Sequence, residues 1–213
     1  MENILFFILL PIILTQQVFA KCLKNTTNEC KDMSACLSVK SDFDIDGILG
    51  MWYQVGVYKK SFGASVATDV CWYKEFKHHR SDDNYQHIVG AFKNGLDVNS
   101  GRSLFTRYHH SGAGVLMGSL IRPNGGKKWM ITEYILETDY KFIAIIYSCL
   151  CKQIYQLKVY SRYPSLKHIP WHPMVEQKVY NILKTNNINK EDVLLYDAKE
   201  LCQASVNATT KNH

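Results

Sequence analysis

The chain lacks a block of consecutive Lys and Arg residues, an internal repeat, and any Gly-x-Ser-x-Gly nucleophile elbow. Each absence closes a class of function. A net charge of +6 scattered over 213 residues leaves no electrostatic footprint for nucleic acid. Without a repeat, or a low-complexity segment beyond the polar tail after Cys202, the length suits one domain. Without the elbow, a nucleophile would need another base. His78, His79, His87, His109 and His110 have no Asp partner at an informative spacing, so no enzymatic activity is expected. No His lies near the close pair Cys149 and Cys151, which argues against a metal site and leaves no cofactor implied. What remains is an ordinary globular composition, 46% hydrophobic and 21% charged.

No Lys or Arg precedes the apolar run Ile4 to Leu14, so only the amino terminus is positive there. That run has the length of a signal-peptide core and is too short to span a bilayer. Val18-Phe19-Ala20 supplies a cleavage site. The expectation is a signal peptide over 1–20 and a single secreted domain over 21–213, with no transmembrane segment in the mature chain. Secretion makes disulfides the default for the seven cysteines, all of them in the mature part, and an odd count leaves one without an internal partner. Asn25 and Asn207 open N-glycosylation sequons near the two ends.

From Leu49 onward, β-branched and aromatic runs alternate with turn signals such as Asn94-Gly95, Asn99-Ser100-Gly101, Ser111-Gly112 and Pro123-Asn124-Gly125-Gly126. The runs predict strands over 50–59, 69–77, 85–92, 102–109, 114–121, 128–137, 141–149 and 153–162. The connection from Lys60 to Thr68 is longer and rich in small residues, suited to folding over an opening. After Pro170 and Pro173 the period changes, and Met174, Val175, Val179, Ile182 and Leu183 line one face of a helix that Asn186-Asn187 stops. A short strand-like run, Val193 to Tyr196, follows. The expected fold is all-β: an eight-stranded antiparallel up-and-down β-barrel with one C-terminal α-helix packed outside, with room inside for side chains or one small ligand.

Gly50-Met51-Trp52, Thr138-Asp139-Tyr140 and Arg162 together resemble the three signature motifs of the lipocalins, over roughly Asp42 to Cys202. Tyr147-Ser148-Cys149-Leu150-Cys151 and the stretch Asn181 to Ile188 are similar to the apolipoprotein D branch, which includes insect members. The resemblance implies that Trp52 plugs the closed end of the barrel with Arg162 across its indole, a pairing worth about 0.5–2 kcal/mol. It implies that Thr138, Asp139 and Tyr140 form a tight turn at that end. It also implies bridges Cys36–Cys149 and Cys71–Cys202. A Cys22–Cys30 bridge would then leave Cys151 either to link a partner or a second copy, or to lie buried and inert.

Strand alternation gives a lining for the cavity. If Cys71 and Cys149 face outward, then Trp72, Lys74 and Phe76 point inward, as do Phe142, Ala144, Ile146 and Ser148. On the eighth run the apolar set Tyr155, Leu157 and Val159 is taken as inward, with Gln156 and Lys158 outward. On the sixth, the uncharged set Met130, Thr132, Tyr134 and Leu136 is taken as inward, against Glu133 and Glu137. Tyr58, Phe105 and Met117 complete the list. Such a cup suits extracellular transport of a small hydrophobic ligand. By resemblance the candidates are a lipid or fatty acid, a sterol-like or retinoid compound, or a tetrapyrrole pigment. The alternative is a secreted protein-interaction or inhibitory role exercised through exposed loops.

Overall fold

The structure, a computed structural model, describes residues 37–59, 61, 70–78, 84–93, 96–107, 113–121, 129–150 and 154–202; for 84, 97–107, 120–121, 129, 150 and 154–155 it describes the backbone alone. The expected signal peptide, Cys22, Cys30, Cys36, Cys151, the sequons at Asn25 and Asn207, the Pro123–Gly126 turn and most of the 60–68 connection lie outside the described residues.

The β-branched and aromatic runs form β1 (Gly50–Tyr58), β2 (Cys71–His78), β3 (Asn84–Lys93), β4 (Leu96–Arg107), β5 (Val115–Ile121), β6 (Trp129–Thr138), β7 (Ile143–Leu150) and β8 (Ile154–Ser161). Each pairs antiparallel with the next, β8 returns to β1, and β1 also pairs with β2, which closes the eight strands into an up-and-down barrel. Closure removes the sheet edges that would otherwise recruit other chains. β1 divides its free edge. Gly50–Tyr53 lies against β2, and Gly56–Tyr58 lies against a short ninth strand, β9 (Val193–Leu195).

Three register shifts interrupt the pairing: one lies in β4, where Ala91 opposes Asn99 and Phe92 opposes Asp97, and the other two set which side chains of β1 and β6 face inward. In β1, Gln54 opposes Tyr160 and Gly56 opposes Val159, so Val55 is an extra residue. In β6, Ile135 opposes Ile146 and Glu137 opposes Ile145, so Leu136 is extra. At these two bulges two successive residues therefore share the outer face. The barrel has two apolar layers as a result. Trp52, Phe76, Leu116, Ile131, Ile135, Ala144, Ile146 and Tyr160 pack together inside it with Phe43, Ile45 and Ile48. Val55, Tyr134, Leu136, Ile143, Ile145, Leu157 and Val159 pack outside it, under the helix α1 (His172–Thr185).

Spacing explains the helix contact. Val179 and Leu183 are one turn apart and fully buried against the outer layer, with Val175 and Ile182 beside them. Pro173 sits in the first turn, where its missing N–H costs nothing. The helix ends on Asn187 in a left-handed conformation (φ 52°). Its N–H donates to the Lys184 carbonyl and that of Ile188 to the Leu183 carbonyl, a Schellman closure.

Side chains knit the floor of the barrel. Trp52 is fully buried and donates its indole N–H to the Ile48 carbonyl at 2.7 Å. The Arg162 guanidinium lies 3.8 Å from the Trp52 ring centroid. It also donates to the carbonyls of Leu49 (2.7 Å) and Met51 (3.1 Å). Asp139 accepts the backbone N–H groups of Phe142 and Ile143 at 2.7 and 2.9 Å, which ties the β6–β7 turn. Thr138 donates to the Ile143 carbonyl at 2.9 Å, and Tyr140 takes a positive φ of 62°.

A disulfide joins Cys71 on β2 to Cys202 across 131 residues. The chain-entropy model gives such a loop about 4–5 kcal/mol. Cys149 is also disulfide-bonded.

Gly50 has a φ of 94°, and a Cβ there would stand 3.0 Å from Arg162 Nη1. The Gly50→Ala variant is expected to lose about 1–3 kcal/mol by urea unfolding, from backbone strain and displacement of the guanidinium. Unchanged stability would show that the floor does not depend on this close approach.

Candidate functional site

Antiparallel pairing carries the inward face of each strand to its neighbour. Trp52 opposes Lys74, Lys74 opposes Val89, and Phe76 opposes His87. Leu116 opposes Glu133, Glu133 opposes Ser148, and Ile146 opposes Lys158. Because Trp52, Phe76, Leu116 and Ile146 belong to the inner layer, Lys74, His87, Glu133, Ser148 and Lys158 face the interior as well. The barrel thus encloses charge among apolar and aromatic walls.

Glu133 is the hub. Its Oε1 accepts from Lys74 Nζ at 2.6 Å and from the Ser148 hydroxyl at 2.8 Å. Its Oε2 lies 3.3 Å from His87 Nδ1. The Glu133, His87 and Lys74 side chains are 1%, 1% and 2% exposed, so water contributes little to their solvation. Lys74 Nζ also lies 5.2 Å from the Tyr160 ring centroid and 5.6 Å from that of Phe76. Their quadrupoles add to its stabilisation. Phe76 meets the His87 ring edge-on at 5.8 Å.

The protonation states follow from this enclosure. Burial alone would raise the Glu133 carboxyl, but the Lys74 ammonium and the His87 ring outweigh it and hold the carboxyl well below the usual carboxylate range. Burial pushes His87 below the ordinary imidazole value, partly opposed by Glu133. Lys158 is lowered to about 8 by burial and by Lys74, with Glu133 opposing. Burial, then Glu133 and Tyr196, raise the Tyr160 phenol well above its usual value. Chemically the cluster is a fixed ion pair with a neutral imidazole, and it does not resemble a hydrolytic triad. Ser148 gives its proton to the carboxylate rather than to the ring, so nothing activates its oxygen.

Six residues of the expected lining face the interior: Lys74, Phe76, Ala144, Ile146, Ser148 and the half-buried Trp72, which opposes Ala91. Nine do not. Leu157, Val159, Tyr134 and Leu136 lie in the outer layer beneath α1, Thr132 faces outward opposite Met117, and Tyr58 and Phe142 pack against the margin of that layer. Met117 opposes Thr132 on the outer face, and Met130 is 59% exposed. Phe142 precedes β7 and stacks on Tyr163 at 6.4 Å, so the strand's alternation does not reach it. Phe105 and Tyr155 are placed by backbone alone, opposite Tyr85 and Cys149.

The inward and outward faces of β6 and β8 are therefore the reverse of the expectation. The cause is that both faces of these strands are covered over most of their length. The helix and the segment with Leu37 and Val39 bury the outer face, which makes it apolar, while the inner face carries Glu133 and Lys158. One signal pointed to this arrangement: an inward Lys74 needs a buried carboxylate, and Glu133 is a mid-strand one.

Removing one member of a buried pair leaves a desolvated charge, at about 3–5 kcal/mol. Glu133→Gln is expected to lose that much at pH 7, while Lys74→Met with Glu133→Leu recovers most of it. A carboxyl held low stabilises the fold above its unfolded value near 4.5 and loses that contribution as pH falls further. The gap between wild type and Glu133→Gln should accordingly shrink below about pH 4.5 in urea titrations. A gap independent of pH would contradict an ionised Glu133.

No family model and no curated protein matches the chain. Solved structures do. Insecticyanin from the tobacco hornworm Manduca sexta superposes with a TM-score of 0.58 at 16% identity, over 76% of this chain and 84% of that one. A biogenic amine-binding protein superposes with a TM-score of 0.57 at 15% identity, over 83% of this chain and 93% of that one. Both are lipocalins, and with the closed barrel, its tryptophan–arginine floor and the outer helix α1 already in place, this chain has the lipocalin fold.

Proposed function

We propose that this protein is an extracellular carrier that holds one small, largely hydrophobic molecule inside the barrel and has no catalytic role. The observation that carries the reading is the interior itself. It is closed at one end by Trp52 and Arg162 and walled by apolar side chains, with Trp72, Ser148 and Lys158 only half-buried on its inward face. Apolar walls with a few placed polar groups suit a small-molecule site. Burial of ligand surface would supply about 25 cal/mol per Å². An apolipoprotein D-like placement within the fold belongs to the same proposal, supported by the long Cys71–Cys202 bridge. No helix among the described residues is long and apolar enough to cross a membrane.

The amine-binding neighbour raises a cationic cargo as an alternative. Glu133, the carboxylate inside the described barrel, already accepts from Lys74 and Ser148 through Oε1, while its Oε2 lies 3.3 Å from His87 Nδ1 without a hydrogen bond between them. Lys74 already neutralises that carboxylate at 2.6 Å, so a further cation beside it would be uncompensated and the charge balance disfavours an amine.

The test is solvent extraction of protein secreted from eukaryotic cells, with mass spectrometry of the extract. One hydrophobic molecule per chain is expected. A barrel free of small molecules that also fails to take up hydrophobic probes would overturn the carrier. In a titration with such a probe, tryptophan emission should change in wild type and in Trp171→Phe, whose Trp171 is 72% exposed, and much less in Trp72→Phe. An undiminished change in Trp72→Phe would place the ligand elsewhere.

A further inference from the structure

The interior contains one charge more than it needs. Lys74 and Glu133 neutralise each other at 2.6 Å, and His87 is held toward its neutral form. Lys158, from β8, faces the same space between Val57 of β1 and Ile146 of β7, both apolar. Among the described residues it makes no hydrogen bond or ion pair, and Glu133 reaches it only at a distance. Its side chain is strongly desolvated by the barrel wall yet half-accessible, so its open surface is toward the lumen. A cation so placed is costly without an anion beside it. Neighbouring groups do not provide one: Lys74 from β2 is a like charge, His87 from β3 is neutral, Tyr160 from β8 stays protonated, and Glu133 from β6 is committed.

We propose that Lys158 anchors the ligand by an anionic group, so that the cargo is an amphipathic carboxylate whose charged end lies at mid-barrel against this ammonium and whose apolar body lies along Trp72 and the inner wall. This rests on the carrier reading and narrows its substrate class. It also assigns the anion to β8 rather than to Lys74, whose partner is internal. The preference should depend on pH. Binding a carboxylate favours charged Lys158, so affinity is full below about pH 8 and falls as pH rises through that value.

The test uses the full secreted chain, stripped of lipid, and three dansyl-labelled undecyl probes: the carboxylate, its methyl ester and the corresponding amine. A charge-assisted contact predicts that wild type binds the carboxylate about tenfold or more tighter than the ester at pH 7. Lys158→Met should bind both equally at the affinity of the ester. Lys158→Arg should keep the preference to pH 9.5, where wild type loses it. Far-UV circular dichroism and ester binding check that the variants fold. Equal affinities of wild type for carboxylate and ester would overturn the anchor while leaving the carrier intact. Preference for the amine would overturn it in favour of Glu133. Failure of every probe to bind would overturn the carrier reading itself.

Discussion

A charge brought inside a β-barrel has to find its counter-charge there, and the interior of this protein is organised by that constraint. Lys74 is fixed to the interior by its register with Trp52, so the fold needs a carboxylate facing inward from another strand. Glu133 supplies it from β6 at 2.6 Å, and Ser148 and His87 are recruited to the remaining surfaces of that carboxylate. The pair is a poor source of net stability compared with apolar residues of the same size. Its consequence is specificity. With Glu133 pointing inward, the alternation of β6 is set, and β7 and β8 follow through pairing. Lys158 arrives inside as a by-product of that register, without a hydrogen-bond or ion-pair partner among the described residues.

Much of the architecture was legible in the residues. Period-two patterning located most strands to within a few positions, but β4 begins at Leu96 rather than at 102, so Asn99-Ser100-Gly101, expected as a turn, lies inside the strand. The helix was legible from Val175, Val179, Ile182 and Leu183, although Met174, expected on the same face, is 72% exposed, and its end was legible from Asn186-Asn187, whose left-handed residue closes it. The Cys71–Cys202 bridge came from family resemblance and not from spacing, since loop length alone chooses no pairing.

The lining was legible on β2 and on most of β7, where the outward cysteines at 71 and 149 set the phase. It was misread on β6 and β8 for a physical reason. Alternation distinguishes core from solvent, but α1 covers most of the outside of these strands, leaving only the Met130 end of β6 exposed. The outer face is then the more apolar of the two, and Leu157 and Tyr134 belong to it. The bulges at Val55 and Leu136 add a phase change that alternation cannot show. Charge pairing carries the phase that apolar stripes do not, since an inward Lys74 requires an inward carboxylate and Glu133 is the one it meets.

The central claim is that β8 presents to the enclosed space an ammonium that is unpaired among the described residues. Nuclear magnetic resonance of isotope-labelled lysine side chains in the lipid-free protein tests it directly. One lysine, lost from the spectrum in a Lys158 variant, should titrate near pH 8, apart from the surface lysines near 10.4. If the Lys158 resonance titrates with the surface lysines, the side chain stands in bulk water, and the charged interior described here is wrong.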